Sequence, residues 1–138
     1  MASSVLAWGG RYPWRVEVQG QSMEPELVEG DRLVVAPPWC ISPGCLVVCA
    51  DPRLAGRVGR GSVLMVKRVS RLDATGVVVI GDNPAHSTDS RHFGPIPRSA
   101  VRGVALYRYY PPERAGWLRR APMQSHPQPL DRGSICGQ

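Results

Sequence analysis

Two features of the sequence predict an all-β fold of about six short strands with little helix. Glycine and proline are frequent, with 15 and 14 copies in 138 residues, and both favour turns over long helices. Between these turn residues lie short stretches that are apolar or alternate between apolar and polar residues, as strands do. The length suits one domain with one core and is too short for two ordinary domains.

The first three predicted strands follow from apolar patterning. Residues 16–19 alternate between valine and a polar residue, which indicates a half-buried strand. Residues 31–36 and 45–50 are strand-like apolar runs, and a loop that contains proline and glycine separates them. We therefore expect three short strands in the first 50 residues.

The next strands are predicted by turn signals. Residues 62–70 and 77–80 flank a turn at 73–76, and this spacing indicates a β-hairpin. A long loop follows, and residues 101–110 form the last predicted strand before two prolines. The predicted organisation is an N-terminal segment (1–14), one folded domain (15–112), a possible short helix (113–120) and a disordered tail (121–138).

The charge and the cysteines exclude several function classes. The net charge is +6 and the pI is about 9.7, which raises the alternative of a basic module that binds nucleic acid or an anionic surface. The arginines are spread along the chain and match no nucleic-acid-binding motif, so we expect no nucleic-acid partner. The four cysteines match no zinc pattern, and we expect free thiols, no metal and no cofactor.

The N-terminal part carries no pattern of a signal peptide or membrane anchor. Its longest apolar stretch is residues 5–8, far shorter than the roughly 20 residues that a membrane-spanning helix needs. We therefore expect no integral membrane span and a cytoplasmic location, with peripheral membrane contact as the alternative. The oligomeric state stays open.

The sequence contains a single lysine, Lys67, in a chain that otherwise uses arginine. In a strand, Lys67 shares its face with Val63, Met65 and Val69. Burial among apolar side chains penalises the charged form and lowers the pKa of an amine, which allows it to act as a base. A serine hydroxyl needs such a base to become a nucleophile. The alternative is that Lys67 reaches solvent or pairs with a carboxylate.

Three sequence boxes in order resemble those of type I signal peptidases. The first is Ser-Met-Glu-Pro-Glu-Leu at 22–27 with Gly-Asp at 30–31, the second is Val-Lys-Arg-Val at 66–69, and the third is Gly-Asp-Asn at 81–83 with Ser-Thr-Asp-Ser-Arg at 87–91. The resemblance covers about residues 16 to 110. It implies a compact signal-peptidase-like, LexA-like β-fold and a Ser/Lys serine endopeptidase in residues 15–112.

The resemblance also implies a role for individual residues. Ser22 matches the nucleophile and Lys67 the general base, while Ser87 matches a serine that orients the lysine amine. The oxyanion hole would comprise the backbone N–H of Ser22 and a second group at the position of Gly20, where some members have serine; here that donor would be a backbone N–H or a water. The residues matched to support of the active-site wall are Gly81, Asp82, Asn83, Asp89 and Arg91.

The departures from the bacterial pattern suggest a particular branch. Only 13 residues separate Lys67 from Gly81, so the large inserted domain is absent. The chain most resembles the nickel-type superoxide dismutase maturation proteases, which implies a protein or peptide substrate with an N-terminal propeptide. The alternative within the family is a secretory or organellar signal peptidase that cleaves at a membrane surface. A self-cleaving regulator of the LexA type is disfavoured, because only 21 residues precede Ser22 and LexA lacks the third box.

Overall fold

The computed structural model describes residues 4–8, 13–39, 41–52 and 64–118. Within these ranges one antiparallel sheet contains eight strands, and the α-helix there is a single turn, α1 (Ser90–Phe93). The all-β prediction is therefore confirmed. The strands are β1 (Ser4–Trp8), β2 (Trp14–Gln19), β3 (Arg32–Ala36), β4 (Leu46–Ala50), β5 (Leu64–Asp73), β6 (Gly76–Ile80), β7 (Val101–Tyr110) and β8 (Gly116–Trp117).

Two strands lie where the sequence predicted none. Strand β1 belongs to the segment predicted as an N-terminal extension, and it pairs with β2 along its whole length. Residues 113–118, the described part of the segment predicted as a possible helix, instead contain the end of a 3-10 turn (Pro112–Arg114) and then β8, which pairs with β7. A helix there would have to include Gly116, a poor helix former. The predicted tail, 121–138, lies outside the described residues.

The strand order is β1-β2-β3-β7-β4-β5-β6, with β8 added at β7. Strand β1 also pairs with β5 through Ser4 and Met65, so six strands close into a ring, and β6 extends from the far half of β5. The predicted hairpin is present as β5 and β6. This closure places the loop after β2 and the loop after β6 beside the middle of β5.

The core consists of two hydrophobic clusters that share strands β4 and β5. Leu46 and Val48 pack in the first cluster, whereas Val47 and Cys49 pack in the second. This alternation explains why four consecutive residues of β4 are buried. On β5, Val66 belongs to the first cluster. Met65 and Val69, which lie on the same face of the strand as Lys67, belong to the second cluster.

Candidate active site

The segment that carries Ser22 is the tight connection between β2 and β3. Its two ends are held by backbone hydrogen bonds, from Val18 N–H to the Asp31 carbonyl at 2.8 Å and from Gly30 N–H to the Val18 carbonyl at 2.9 Å. Met23 and Leu27 anchor the segment in the first core cluster, and both are fully buried. Ser22 is also fully buried, directly before this apolar anchor.

Lys67 brings together two serines that are far from it in sequence. Its Nζ lies 3.0 Å from the Oγ of Ser22 and 3.0 Å from the Oγ of Ser87. Lys67 and Ser22 have no exposed surface, and Ser87 is 8% exposed. The amine is therefore within hydrogen-bonding distance of both hydroxyls in a site closed to bulk water.

Asp89 continues this network behind Ser87. The Ser87 hydroxyl donates to Asp89 Oδ2 at 2.9 Å, and the Gly81 backbone N–H donates to the same oxygen at 2.8 Å. Arg91 donates from its Nε to Asp89 Oδ1 at 2.9 Å and pairs through a second nitrogen with Oδ2. Asp89 is fully buried, so these donors hold a carboxylate that has no contact with solvent.

The pKa of Asp89 is the balance of opposing effects. Burial of the carboxyl acts to raise it, but hydrogen bonds from the Arg91 side chain, from the backbone N–H groups of Gly81 and Arg91, and from Ser87 together lower it. The resulting pKa of Asp89 lies well below its usual value. The carboxylate is therefore ionised at neutral pH and acts only as an acceptor.

We expect Asp89→Asn to be less stable than the wild type at pH 7, by an amount that shrinks at pH 3. Because the folded-state pKa of Asp89 is lower than the unfolded-state value of about 3.9, its contribution is full above that value and is lost as the pH falls. Thermal unfolding of both proteins at the two pH values measures this. Glu113→Gln, an exposed site, is the control. An equal loss at both pH values would contradict the ionic role.

The Gly-Asp-Asn box, residues 81–83, contacts the Ser22 segment directly. Asn83 donates from its backbone N–H to the Ser22 carbonyl at 2.8 Å and from Nδ2 to the Gln21 carbonyl at 3.0 Å. Gly81 lies so close to the serines that an added Cβ would be 2.1 Å from Ser87 Oγ and 2.8 Å from the Ser22 carbonyl oxygen. The box therefore ties the loop after β6 to the Ser22 segment.

Asp82 contacts a residue whose role the sequence did not indicate. Its two carboxylate oxygens accept from Arg68 Nε at 2.8 Å and from a terminal Arg68 nitrogen at 2.7 Å. Another Arg68 nitrogen donates to the Gly44 carbonyl at 2.8 Å. In the sequence analysis Arg68 is only a member of the second sequence box, with no role of its own. In the structure its charge is paired with Asp82, and the pair fixes β5 against two loops.

A cleft of about 320 Å³ opens next to the Ser22 segment, and it is lined by Gly20, Gln21, Glu29 and His86. Gly20 has φ +91, in the left-handed region that glycine adopts without strain. The structure thus places Gly20 at the cleft, and its contribution to an oxyanion hole stays a prediction. Neither Glu29 nor His86 was singled out as a site residue, because isolated polar loop residues carry no pattern.

The buried Cys49 thiol is a poor nucleophile in its environment. Cys45 and Cys49 are free thiols, and burial, assisted by the nearby Asp51 and outweighing the opposite effect of Lys67, raises the pKa of Cys49 to about 12. Within the described ranges, no three His, Cys, Asp or Glu residues are grouped to hold a metal ion. Cys40 and Cys136 lie outside those ranges.

Residues 70–110 match the family described as signal peptidase, peptidase S26. The signal-peptidase resemblance is supported. The family match includes the third sequence box, with Ser87, Asp89 and Arg91, whereas Ser22 and Lys67 lie before it. The part of the chain that the structure describes has no helix long and apolar enough to cross a membrane.

Several proteins that are similar to this chain are named as subunits of mitochondrial inner membrane proteases. The chain is 58% identical over 43 residues to the mitochondrial ATP-independent inner membrane protease subunit 1a of Arabidopsis thaliana, covering 31% of this chain and 26% of that protein. It is 45% identical over 42 residues to mitochondrial inner membrane protease subunit 1 of Mus musculus, covering 30% and 25%. For the Xenopus tropicalis subunit 1 the identity is 38% over 58 residues, covering 42% and 35%. No solved structure matches the chain.

The matched segments span about a quarter to a third of the relatives' length. The names of these relatives place them at a mitochondrial inner membrane, and the predicted cytoplasmic location is therefore wrong. The cytoplasmic location was predicted from the absence of an apolar anchor in the sequence. That absence does not indicate the compartment in which a protein works.

Proposed function

We propose that the chain is a serine endopeptidase of the organellar signal-peptidase type, in which Ser22 is the nucleophile and Lys67 the general base. The observation that supports this most strongly is the distance of 3.0 Å between Lys67 Nζ and Ser22 Oγ in a fully buried environment. Burial disfavours the ammonium and favours the free amine, the form that accepts a proton.

The hydrogen-bond directions support the proposed roles of the two serines. Asp89 can only accept, so Ser87 must use its one hydroxyl proton on Asp89. The oxygen of Ser87 is then an acceptor for an N–H of Lys67. With one N–H used on Ser87, the lone pair of a neutral Lys67 is available to accept the hydroxyl proton of Ser22. In this proposal Ser87 and Asp89 are positioning residues, supported by Arg91.

The proposed reaction is acyl transfer in two stages. Lys67 takes the proton of the Ser22 hydroxyl while the oxygen attacks the scissile carbonyl carbon, and the resulting ammonium protonates the leaving amine as the C–N bond breaks. A water molecule, deprotonated by the same amine, then attacks the ester carbonyl carbon, and the ammonium returns this proton to the Ser22 oxygen as the C–O bond breaks and the acid product leaves. The proposed oxyanion hole is the Ser22 backbone N–H with a second donor near Gly20.

The proposed substrate is a protein or peptide with an N-terminal presequence, cleaved at a membrane surface. The support for this class is the set of relatives named as inner-membrane protease subunits. Maturation of a nickel superoxide dismutase stays a narrower prediction, and these names favour the membrane-surface alternative. The cleft beside Gly20 and Glu29 offers space for substrate residues next to the Ser22 segment.

We expect Ser22→Ala to lose cleavage of a peptide library by about 10³-fold or more, because removal of the nucleophile leaves only binding and electrostatic contributions. The products are identified by mass spectrometry, with detergent micelles present, and the best-cleaved peptide then gives kcat and KM. The control is Ser42→Ala, a buried serine whose Oγ lies 3.4 Å from Cys45 Sγ. Unchanged cleavage by Ser22→Ala would exclude Ser22 as the nucleophile.

A further inference from the structure

A buried ionic cluster lies between the Ser22 segment and the end of β7. Asp31, which closes the segment, is 1% exposed. Its oxygens accept from Arg108 at 3.1 Å and from Arg114 at 2.9 Å and 3.2 Å, and Oδ2 also accepts from the Val28 backbone N–H at 3.0 Å. A buried carboxylate requires such partners, since desolvation of an unpaired charge is costly.

The same two arginines also hold the backbone of the Ser22 segment. Arg108 donates to the Glu26 carbonyl at 2.8 Å, and an Arg114 nitrogen lies 3.4 Å from the same oxygen. Glu26 belongs to the turn in which the Leu27 N–H donates to the Met23 carbonyl at 2.9 Å. The carbonyl held by the arginines is therefore in the turn that directly follows the serine.

The arginines are fixed to each other as well as to the segment. Arg108 Nε donates to the Arg114 carbonyl at 2.8 Å, so the strand and the 3-10 turn after it act together. Their separation from Asp31 is 77 and 83 residues. We call Asp31, Arg108 and Arg114 the arginine clamp.

We propose that the arginine clamp sets the position of Ser22 relative to Lys67, so that Arg108 and Arg114 are positioning residues of the candidate active site. The inference rests on the proposed function. The Ser22 segment is held by hydrogen bonds from Asn83 and from the arginine clamp. The apolar contacts of Met23 and Leu27 fix only how deeply the segment lies in the core. Sideways displacement of the segment is limited by directional hydrogen bonds, and Arg108 supplies two of these, to the Glu26 carbonyl and to Asp31.

Replacement of arginine by lysine keeps the charge but removes the planar set of donors that reaches two carbonyls and a carboxylate at once. We expect Arg108→Lys to lower kcat by about 10-fold to 100-fold with little change in KM, because a displacement near 1 Å has effects of this order. Arg114→Lys, at a half-buried side chain, is the milder variant if Arg108→Lys folds poorly. Arg71→Lys, in an exposed pair with Asp73, is the matched control.

A readout that needs no cleavage separates positioning from stability. The full chain is expressed with lysine that carries ¹³C at the ε-carbon and is studied by NMR. The wild type then has one labelled side chain, Lys67, because the sequence has a single lysine. The lysine variants would add a second labelled side chain, so this measurement uses Arg108→Gln and Arg114→Gln, with Arg71→Gln as the control. We expect the Lys67 resonance to move in the first two variants, at temperatures well below unfolding, and to stay in place in Arg71→Gln.

The outcomes are distinct. A lower melting temperature with an unmoved Lys67 resonance and an unchanged kcat would mean that the clamp only stabilises the fold, and the inference is overturned. A moved resonance supports the clamp even if Ser22→Ala retains cleavage, in which case the proposed function fails by itself. The resonance and the kcat of Ser22→Ala therefore test the two proposals separately.

Discussion

Lys67→Arg is expected to abolish cleavage, with a fall of about 10³-fold or more in kcat/KM. The guanidinium is positively charged at any working pH and cannot give up its proton, whereas the proposed base is a neutral amine, so arginine cannot accept the proton of the Ser22 hydroxyl. The longer, planar side chain must also enter a site with no exposed surface, which is expected to lower stability by about 1–3 kcal/mol. Peptide cleavage and thermal unfolding measure the two effects.

Lys67→Met separates loss of the base from loss of the fold. Methionine has a similar length and no charge, and Lys67 follows the parity of Met65 and Val69 on an apolar face. Replacement of a buried charged or polar group by a well-packed apolar side chain often leaves a protein as stable as before or more stable. We therefore expect this variant to be at least as stable as the wild type, and inactive because it has no base. Substantial cleavage by either Lys67 variant would contradict a lysine base and leave another group to be found.

The part of the site that follows strand alternation could be predicted from the sequence. Lys67, Met65 and Val69 lie on one face of β5 because side chains of a strand alternate, and the structure shows the latter two in one cluster. The meeting of Lys67 with Ser22 and Ser87 was predicted only through the resemblance of three sequence boxes, since no local pattern relates positions 45 and 20 residues apart.

The ion pairs of Asp31 could not be predicted, for a related reason. Asp31 pairs with arginines about 80 positions away, and Arg108 also donates to a main-chain carbonyl, which any residue could provide. Such contacts leave no periodic signal in the sequence. Strand β8 was missed because two residues are too few to show alternation, and its identity depends on pairing with β7.

Gly81→Ala is expected to disrupt the candidate active site. A Cβ there would lie 2.1 Å from Ser87 Oγ, 2.6 Å from Ser87 Cβ and 2.8 Å from the Ser22 carbonyl oxygen. Ser87 is held by Lys67 and Asp89, and the Ser22 carbonyl is held by Asn83, so neither neighbour can move without breaking the network. We expect a loss of about 10²-fold or more in kcat/KM and of about 1–3 kcal/mol in stability.

The source of this loss can be located with a second substitution. Ser87→Ala removes the hydroxyl from the closest contact, but the Cβ of residue 87 and the Ser22 carbonyl remain in place, so Gly81→Ala combined with Ser87→Ala should stay as unstable as Gly81→Ala alone. Recovery of stability in the double variant would show that only the hydroxyl was crowded. Its absence would mean that the close approach of Gly81 to the main chain of Ser22 limits what residue 81 can be.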